Sequence, residues 1–573
     1  MTQATAEKVS PKERAPIAGE AFLRALADHG IDYFFANPGT DFPPVVEAFS
    51  RAKKSNAKVP TPLVIPHECI AVAMAHGVYT QTGRPQAVML HVNVGTANAI
   101  ANLINLSRDN VPLILAAGRT PITEKGAFGG RNRYIHWGQE MFDQGGMLRE
   151  VVKWDYELRV PDQITDVVSR ACEITMTSPR APVYLSLPRE PLSAPLSEPI
   201  GPVKPRSVPD VPHADPARIE TLAGWIAAAE KPLIITTVSG ADALPPLSRI
   251  AERYAIPVVT QRQRQVCLPT SHPMHMGFDP EGLIQEADLV IVLDADVPWI
   301  PSEQPPRDDC RFATIGEDPA WTRYPMRSFP SDLAITSSTA SALTLLEQAL
   351  GKQTIPEARI AARRTRAAEF NRKRRDAAAK ASAAPAGDKI TFAYLSRVIG
   401  ETVGDDAVIF NEYSMMQEYC PREKPNTFYG LSAAAGLGWG FGAALGAKLA
   451  SPDKLVVATL GDGAYMFANP MVAHWVSDIY KLPILVIVFN NSLYGAVRGA
   501  TMSMFKDGVS GETGGRFMAD LSPSPSFEEA ARAQGGHGER VEKASELPAA
   551  LGRARDIVVK EKRLALLNVV CPP

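Results

Sequence analysis

The chain has 573 residues, 45% of them hydrophobic and 21% charged, with a formal net charge of -2. That length exceeds one hydrophobic core and points to about three domains of ordinary size. The near-neutral charge gives no electrostatic reason for a nucleic-acid partner, and the longest apolar runs, such as Ile484 to Phe489, are too short to span a bilayer.

The polar opening segment, residues 1–16, lacks the apolar stretch of a signal peptide. Six cysteines are scattered without metal-ligand spacing. Together these features predict a cytoplasmic protein with reduced thiols and no membrane partner.

The first segment, Ala18 to Pro188, alternates helical and strand patterns. Phe22, Leu23 and Leu26 form an apolar helical face that Gly30 terminates. A short buried strand, Ile31 to Ala36, runs into the turn Asn37-Pro38-Gly39-Thr40. Further strands are predicted at Ala87 to Leu90, Leu113 to Ala116 and Val183 to Leu187, the rhythm of a parallel sheet. A proline-rich stretch, Pro191 to Pro216, reads as a linker. The second segment has strands at Leu233 to Thr236, Val258 to Val259 and Leu289 to Leu293. Arg359 to Lys380 then reads as an exposed helix, followed by a second linker, Ala381 to Gly387. The third segment has strands at Val408 to Phe410, Leu455 to Leu460 and Ile484 to Phe489. The predicted architecture is three doubly wound α/β domains with mostly parallel sheets, over residues 16–190, 210–352 and 386–573.

The strongest chemical signal lies in the third segment. The strand Leu455 to Leu460 ends in Gly461-Asp462-Gly463, and the next, Ile484 to Phe489, ends in Asn490-Asn491. Both clusters fall at the C-terminal ends of parallel strands, where open α/β sheets bind ligands. Glycines allow a diphosphate to approach the backbone, and a helix after Gly463 would aim its first N–H groups at the anion. Asp462 and Asn491 are hard oxygen donors suited to magnesium. A lone Gly-Asp-Gly is only a turn; the paired asparagines and flanking apolar strands make the combination specific.

With 26 residues between Gly463 and Asn490, the pattern resembles the thiamin-diphosphate-dependent decarboxylase and acetohydroxyacid synthase family. The resemblance covers nearly the whole chain, with pyrimidine-binding, central and diphosphate-binding domains in that order. It implies thiamin diphosphate and Mg2+ as cofactors, with Asp462, the Asn491 side chain and the Leu493 carbonyl as metal ligands. It places Gly461, Gly463, Ala464 and Tyr494 at the diphosphate, with Ser414 a further contact. Leu437 would be the bulky residue beneath the cofactor, and the Ala435 carbonyl would hold its amino group. Glu68, in Pro66-His67-Glu68-Cys69, matches the family's carboxylate that activates the cofactor through its pyrimidine ring, leading to a C2 ylid and an enamine. Read without the resemblance, Glu68 is an acidic residue opening an apolar helix.

Local motifs are most similar to benzoylformate decarboxylase. Asn37-Pro38-Gly39-Thr40 resembles its substrate-carboxylate loop, which makes Thr40 a substrate contact. His91 resembles its active-site histidine, at the same distance beyond the glutamate; an imidazole there suits proton transfer near neutral pH. The chain departs from that pattern in three ways. Asp296 to Pro301 carries no second histidine, Gly499-Ala500 replaces an aromatic wall, and Val497 stands where pyruvate decarboxylase has a glutamate. The implied reaction is decarboxylation of a 2-oxo acid, the pocket widened at Ala500 suggesting one larger than pyruvate. The alternative is an acetolactate-synthase-like carboligase, whose Phe-Gln-Glu segment is faintly similar to Gly138-Gln139-Glu140. FAD, usual in that branch, finds no clear dinucleotide fingerprint here. A non-catalytic cofactor-binding protein is the remote reading, opposed by the intact Glu68, Asp462 and Asn491. The resemblance also implies a homodimer or homotetramer.

Overall fold

The structure, a computed structural model, describes residues 15–572; most of the opening segment read above lies outside them. The chain divides between Pro209 and Asp210 into two compact units.

The first unit is built on β1 (Tyr33–Asn37), β2 (Thr61–Val64), β3 (Ala87–Leu90), β4 (Ile114–Arg119), β5 (Asp155–Glu157) and β6 (Val183–Pro188). All pairings are parallel, and the order is β2-β1-β3-β4-β6-β5. The side chains of β3 and β6 are wholly buried, as in parallel strands covered by helices on both faces. The chain leaves β1 for β2 on one side, then crosses to β3 on the other. The loops after β1 and β3 therefore emerge side by side at a switch point, where such sheets form ligand crevices.

The second unit holds two sheets. One contains β7 (Pro232–Thr236), β8 (Val258–Thr260), β9 (Leu289–Leu293), β10 (Arg311–Gly316) and β11 (Leu333–Thr336), ordered β11-β10-β9-β7-β8. The other contains β12 (Val408–Glu412), β13 (Phe428–Gly430), β14 (Val456–Gly461), β15 (Leu485–Asn490), β16 (His537–Val541) and β17 (Ala565–Val570), ordered β13-β12-β14-β15-β17-β16. Its switch point falls between β12 and β14. The architecture is thus three parallel α/β sheets, as predicted.

Several local expectations need correction. The first strand starts at Tyr33, two residues later than predicted, and ends at Asn37. The helix at the Gly-Asp-Gly motif runs from Asp462 to Phe467 with Gly461 as its N-cap, so it begins before Gly463, not after it. The long helix Glu357–Ala381 buries Arg363, Ala367 and Asn371, one stripe at four-residue spacing. The Arg363 guanidinium bonds the carbonyls of Ile226 (2.7 Å), Ala229 (2.5 Å) and Tyr254 (3.2 Å). Those carbonyls lie at the C-terminal ends of two helices, Pro216–Ala228 and Leu244–Tyr254, where a cation is favourable. All six cysteines are free. Among the described residues no helix is long and apolar enough to cross a membrane.

Candidate active site

In the first unit the predicted residues gather at the β1/β3 switch point. Glu68 is the first residue of the helix Glu68–Thr82 and is buried. Its Oε1 accepts from Asn37 Nδ2 at 2.7 Å and its Oε2 from Asn98 Nδ2 at 2.5 Å. Two amides, one from the end of β1 and one from the helix Val92–Arg108, thus fix the plane of the carboxylate. Gly95 keeps that helix close: a Cβ there would lie 3.2 Å from Oε1.

His91 follows β3 directly and caps the helix Val92–Arg108. Its Nδ1 lies 2.5 Å from Asp41 Oδ1, and its Nε2 lies 3.3 Å from Gln139 Nε2. The hydrogen bond to Asp41 pushes the imidazole pKa above its ordinary value, against the opposing effect of burial. Thr40 is exposed in the same loop, and its carbonyl accepts from the buried Arg189 at 3.1 Å. Glu140, beside Gln139, is fastened by Arg119 at 2.9 Å, Thr120 at 2.6 Å and Arg131. Asp41, Asn98 and Gln139 were not singled out as site residues in the sequence. Asp41 had a signal, since it follows Thr40 in the same turn; Asn98 had none.

In the second unit Asp462 and the Asn491–Leu493 turn meet at the ends of neighbouring strands β14 and β15. Asp462 is buried, and desolvation raises its pKa against the N–H groups of Gly463, Ser492, Leu493 and Asn491. Its Oδ1 accepts from Gly463 N at 2.7 Å, so that N–H is spent locally and not left for an anion. Among the described residues its Oδ2 is buried without a hydrogen-bond partner, which is costly for a carboxylate unless a cation or donor arrives. The two asparagines divide their work. Asn490 is buried and bonds Asn568 at 2.9 Å, while Asn491 Oδ1 accepts from the nearby Leu493 N at 3.0 Å. Tyr494 lies over Gly463, where a Cβ would be 2.5 Å from its ring. The Ser414 hydroxyl would sit 3.2 Å from a Cβ at Gly461. Ala464 is buried in the first turn of the short helix.

Ala435 adopts φ 57°, in the left-handed region, and Leu437 is half-buried two residues on. The following turn is held by Glu412, which sequence reading passed over. This fully buried residue at the end of β12 accepts from Gly438 N at 2.7 Å and Gly440 N at 2.6 Å. Burial raises its pKa to about 7. The native state therefore binds this proton more tightly than the unfolded chain does. The resulting stability is complete below the ordinary value of 4.5 and is lost as pH rises through about 7. In melting curves from pH 4.5 to 8, E412Q should lack this component, so the wild-type minus E412Q difference should decline with rising pH. A flat difference would contradict the assignment.

Three family models match the chain in order. They are described as thiamine pyrophosphate enzyme, N-terminal TPP binding domain (residues 17–147), central domain (219–346) and C-terminal TPP binding domain (412–569). The chain is 26% identical over 499 residues to benzoylformate decarboxylase of Pseudomonas aeruginosa, covering 83% of this chain and 86% of the relative. It is 24% identical over 518 residues to the acetolactate synthase large subunit of Lactococcus lactis, covering 86% and 84%. The crystal structure of benzoylformate decarboxylase from Polynucleobacter necessarius superposes with a TM-score of 0.78 at 21% identity, over 97% of this chain and 98% of that one. Together the three models take in most of the chain, and it belongs to the thiamine pyrophosphate enzyme family, in the group that includes decarboxylases and acetolactate synthases.

Proposed function

We propose that the protein decarboxylates a 2-oxo acid to an aldehyde, using thiamin diphosphate and Mg2+. The observation that carries this reading is the titratable His91, paired with a carboxylate, on the same switch point as the amide-clamped Glu68. Decarboxylation to an aldehyde must end in protonation of carbon, and an imidazole whose pKa a neighbouring carboxylate raises is suited to that step.

The residues fit the cofactor pair. Asp462 offers an orphaned carboxylate oxygen, Asn491 a carboxamide in a turn that the 519–524 segment holds in place, and Leu493 a carbonyl beside them. Among the described residues no three His, Cys, Asp or Glu side chains converge on a metal site. This donor set, one carboxylate with neutral oxygens, suits Mg2+ that also takes phosphate oxygens and water. Gly461, Gly463, Ala464, Ser414 and Tyr494 would line the diphosphate, and Ala435 and Leu437 the aminopyrimidine. When bound, thiamin diphosphate supplies a carbon nucleophile and an electron sink. Glu68 would orient and activate it through the pyrimidine ring. Thr40 would hold the substrate carboxylate, and His91 would give a proton to the product carbon. The proposed working form is a homodimer or homotetramer, with domains at 16–190, 210–352 and 386–573.

Carboligation is the second reading, favoured by Gln139 against His91 and by the acetolactate synthase relatives. The test is turnover of the purified protein with both cofactors on aromatic, branched and short 2-oxo acids. We expect one aldehyde per CO2, fastest with an acid bulkier than pyruvate. Acetolactate-type products would support carboligation, and no CO2 from any acid would refute both readings.

A further inference from the structure

The His91 ring has a partner that the reading above leaves without a role. We propose that Asp41 is the positioning residue of His91: its carboxylate takes the Nδ1 proton, so that Nε2, opposite Gln139, is the atom that exchanges a proton with substrate. The proposal rests on the reading of His91 as the acid–base group of the site.

Asp41 is 4% exposed. Its Oδ1 lies 2.5 Å from His91 Nδ1, and its Oδ2 accepts the Val92 backbone N–H at 3.3 Å. An ionised carboxylate only accepts hydrogen bonds, so Nδ1 must be the donor and the tautomer is set. The surroundings are shaped to this contact. A Cβ at Gly118, in β4, would fall 1.9 Å from Asp41 Oδ2, and one at Gly39 would fall 2.1 Å from His91 Nδ1. Any larger residue at either position would displace one member of the pair. Val92 has φ 37°, an unfavourable left-handed conformation for a β-branched residue. Strain of this kind persists where the surrounding structure imposes it, and here the strained residue donates to Asp41.

Gln139 completes the arrangement. Its Nε2 faces His91 Nε2 at 3.3 Å, while its Oε1 is buried without a partner among the described residues. With Nδ1–H given to Asp41, a neutral His91 accepts at Nε2 from the amide. A protonated His91 would donate there, and rotation of the amide by half a turn would present Oε1 to receive it. The carboxamide thus serves both charge states. The titratable groups acting on His91 are Asp41 and Glu68, which favour its charged form, and His136, with which it repels.

The test is Asp41→Asn in the holoenzyme, with ring-nitrogen NMR titration of His91 (assigned by its loss in H91A) beside the pH profile of turnover. In D41N we expect His91 to titrate at least about one unit lower. The fall of kcat with rising pH should move down with it, because the proton donor is the charged form. At neutral pH kcat should drop about 10- to 100-fold, with KM changed less than about 3-fold. D41N added to H91A should slow it no further, since the two residues act as a unit. If D41N does not fold, Asp41→Glu keeps the charge but misplaces it: the titration should stay high while kcat falls. An unchanged His91 titration in D41N, or wild-type kcat in D41E, would overturn the positioning role. Wild-type turnover by H91A would instead overturn the catalytic reading beneath it.

Discussion

Glu68→Gln is expected to lower turnover by about 10²- to 10⁴-fold while cofactor binding survives. The carboxylate sits in a clamp of two amides, Asn37 and Asn98, so a near-isosteric glutamine keeps the shape of the pocket. It would lose the charge proposed to favour the reactive form of the pyrimidine ring. One new clash is built in, because a glutamine NH2 must face one of the two asparagine donors unless that amide turns over. Hydrogen–deuterium exchange at the thiazolium C2 of bound thiamin diphosphate is the direct readout, and it should slow in step with turnover. Wild-type exchange in E68Q would remove Glu68 from the role.

The second large effect is at Asp462, and it has opposite signs in the empty and loaded protein. In the empty protein the carboxylate is buried with one oxygen unpartnered, a source of instability. Asp462→Asn removes the charge and should raise the melting temperature of the empty protein or leave it unchanged. In the loaded protein the same change would remove the proposed anionic magnesium donor and should weaken Mg2+-dependent binding of thiamin diphosphate by about 100-fold or more. Wild type should gain about 2.7 kcal/mol of stability at a hundredfold excess of cofactor over its Kd, a gain D462N should lack at the same concentration. Thermal shift with and without Mg2+ and thiamin diphosphate measures both. Equal cofactor-induced shifts in the two proteins would contradict the metal assignment.

The core of the fold was legible because interior parallel strands are continuous apolar runs. β3, β9, β14 and β15 were recognised within a residue or so for that reason. The strands that escaped are mostly at sheet edges: β2, β5, β11, β13 and β16. An edge strand packs on fewer neighbours and keeps polar residues, as His537-Gly538-Glu539-Arg540-Val541 shows, so neither an apolar run nor clean alternation marks it. β10 was missed although it is interior, since it opens on an exposed Arg311.

In the candidate site, residues that stand in a motif could be proposed from sequence and residues brought in by tertiary proximity could not. Glu68, His91 and Asp462 stand in recognisable local patterns. Asp41 is 50 residues from the His91 it holds, and Glu412 is 26 residues from Gly438. Nothing in the local sequence states that Gly39 and Gly118 leave room for a carboxylate–imidazole contact. The helix at Asp462 illustrates a subtler limit. Glycine suggested a turn before the helix, yet a carboxylate in the first turn was enough to start it earlier.

In the proposed reaction a 2-oxo acid becomes CO2 and an aldehyde whose new hydrogen comes from an exchangeable group of the site. The most direct measurement is reaction of the Mg2+- and thiamin-diphosphate-loaded enzyme with a phenyl-substituted 2-oxo acid in D2O. CO2 should be counted and the aldehyde analysed by proton NMR. The expected result is one aldehyde per CO2, carrying deuterium at the carbonyl carbon. Absence of CO2 from this and every other 2-oxo acid, or CO2 released with a ligated hydroxy ketone and no aldehyde, would contradict it.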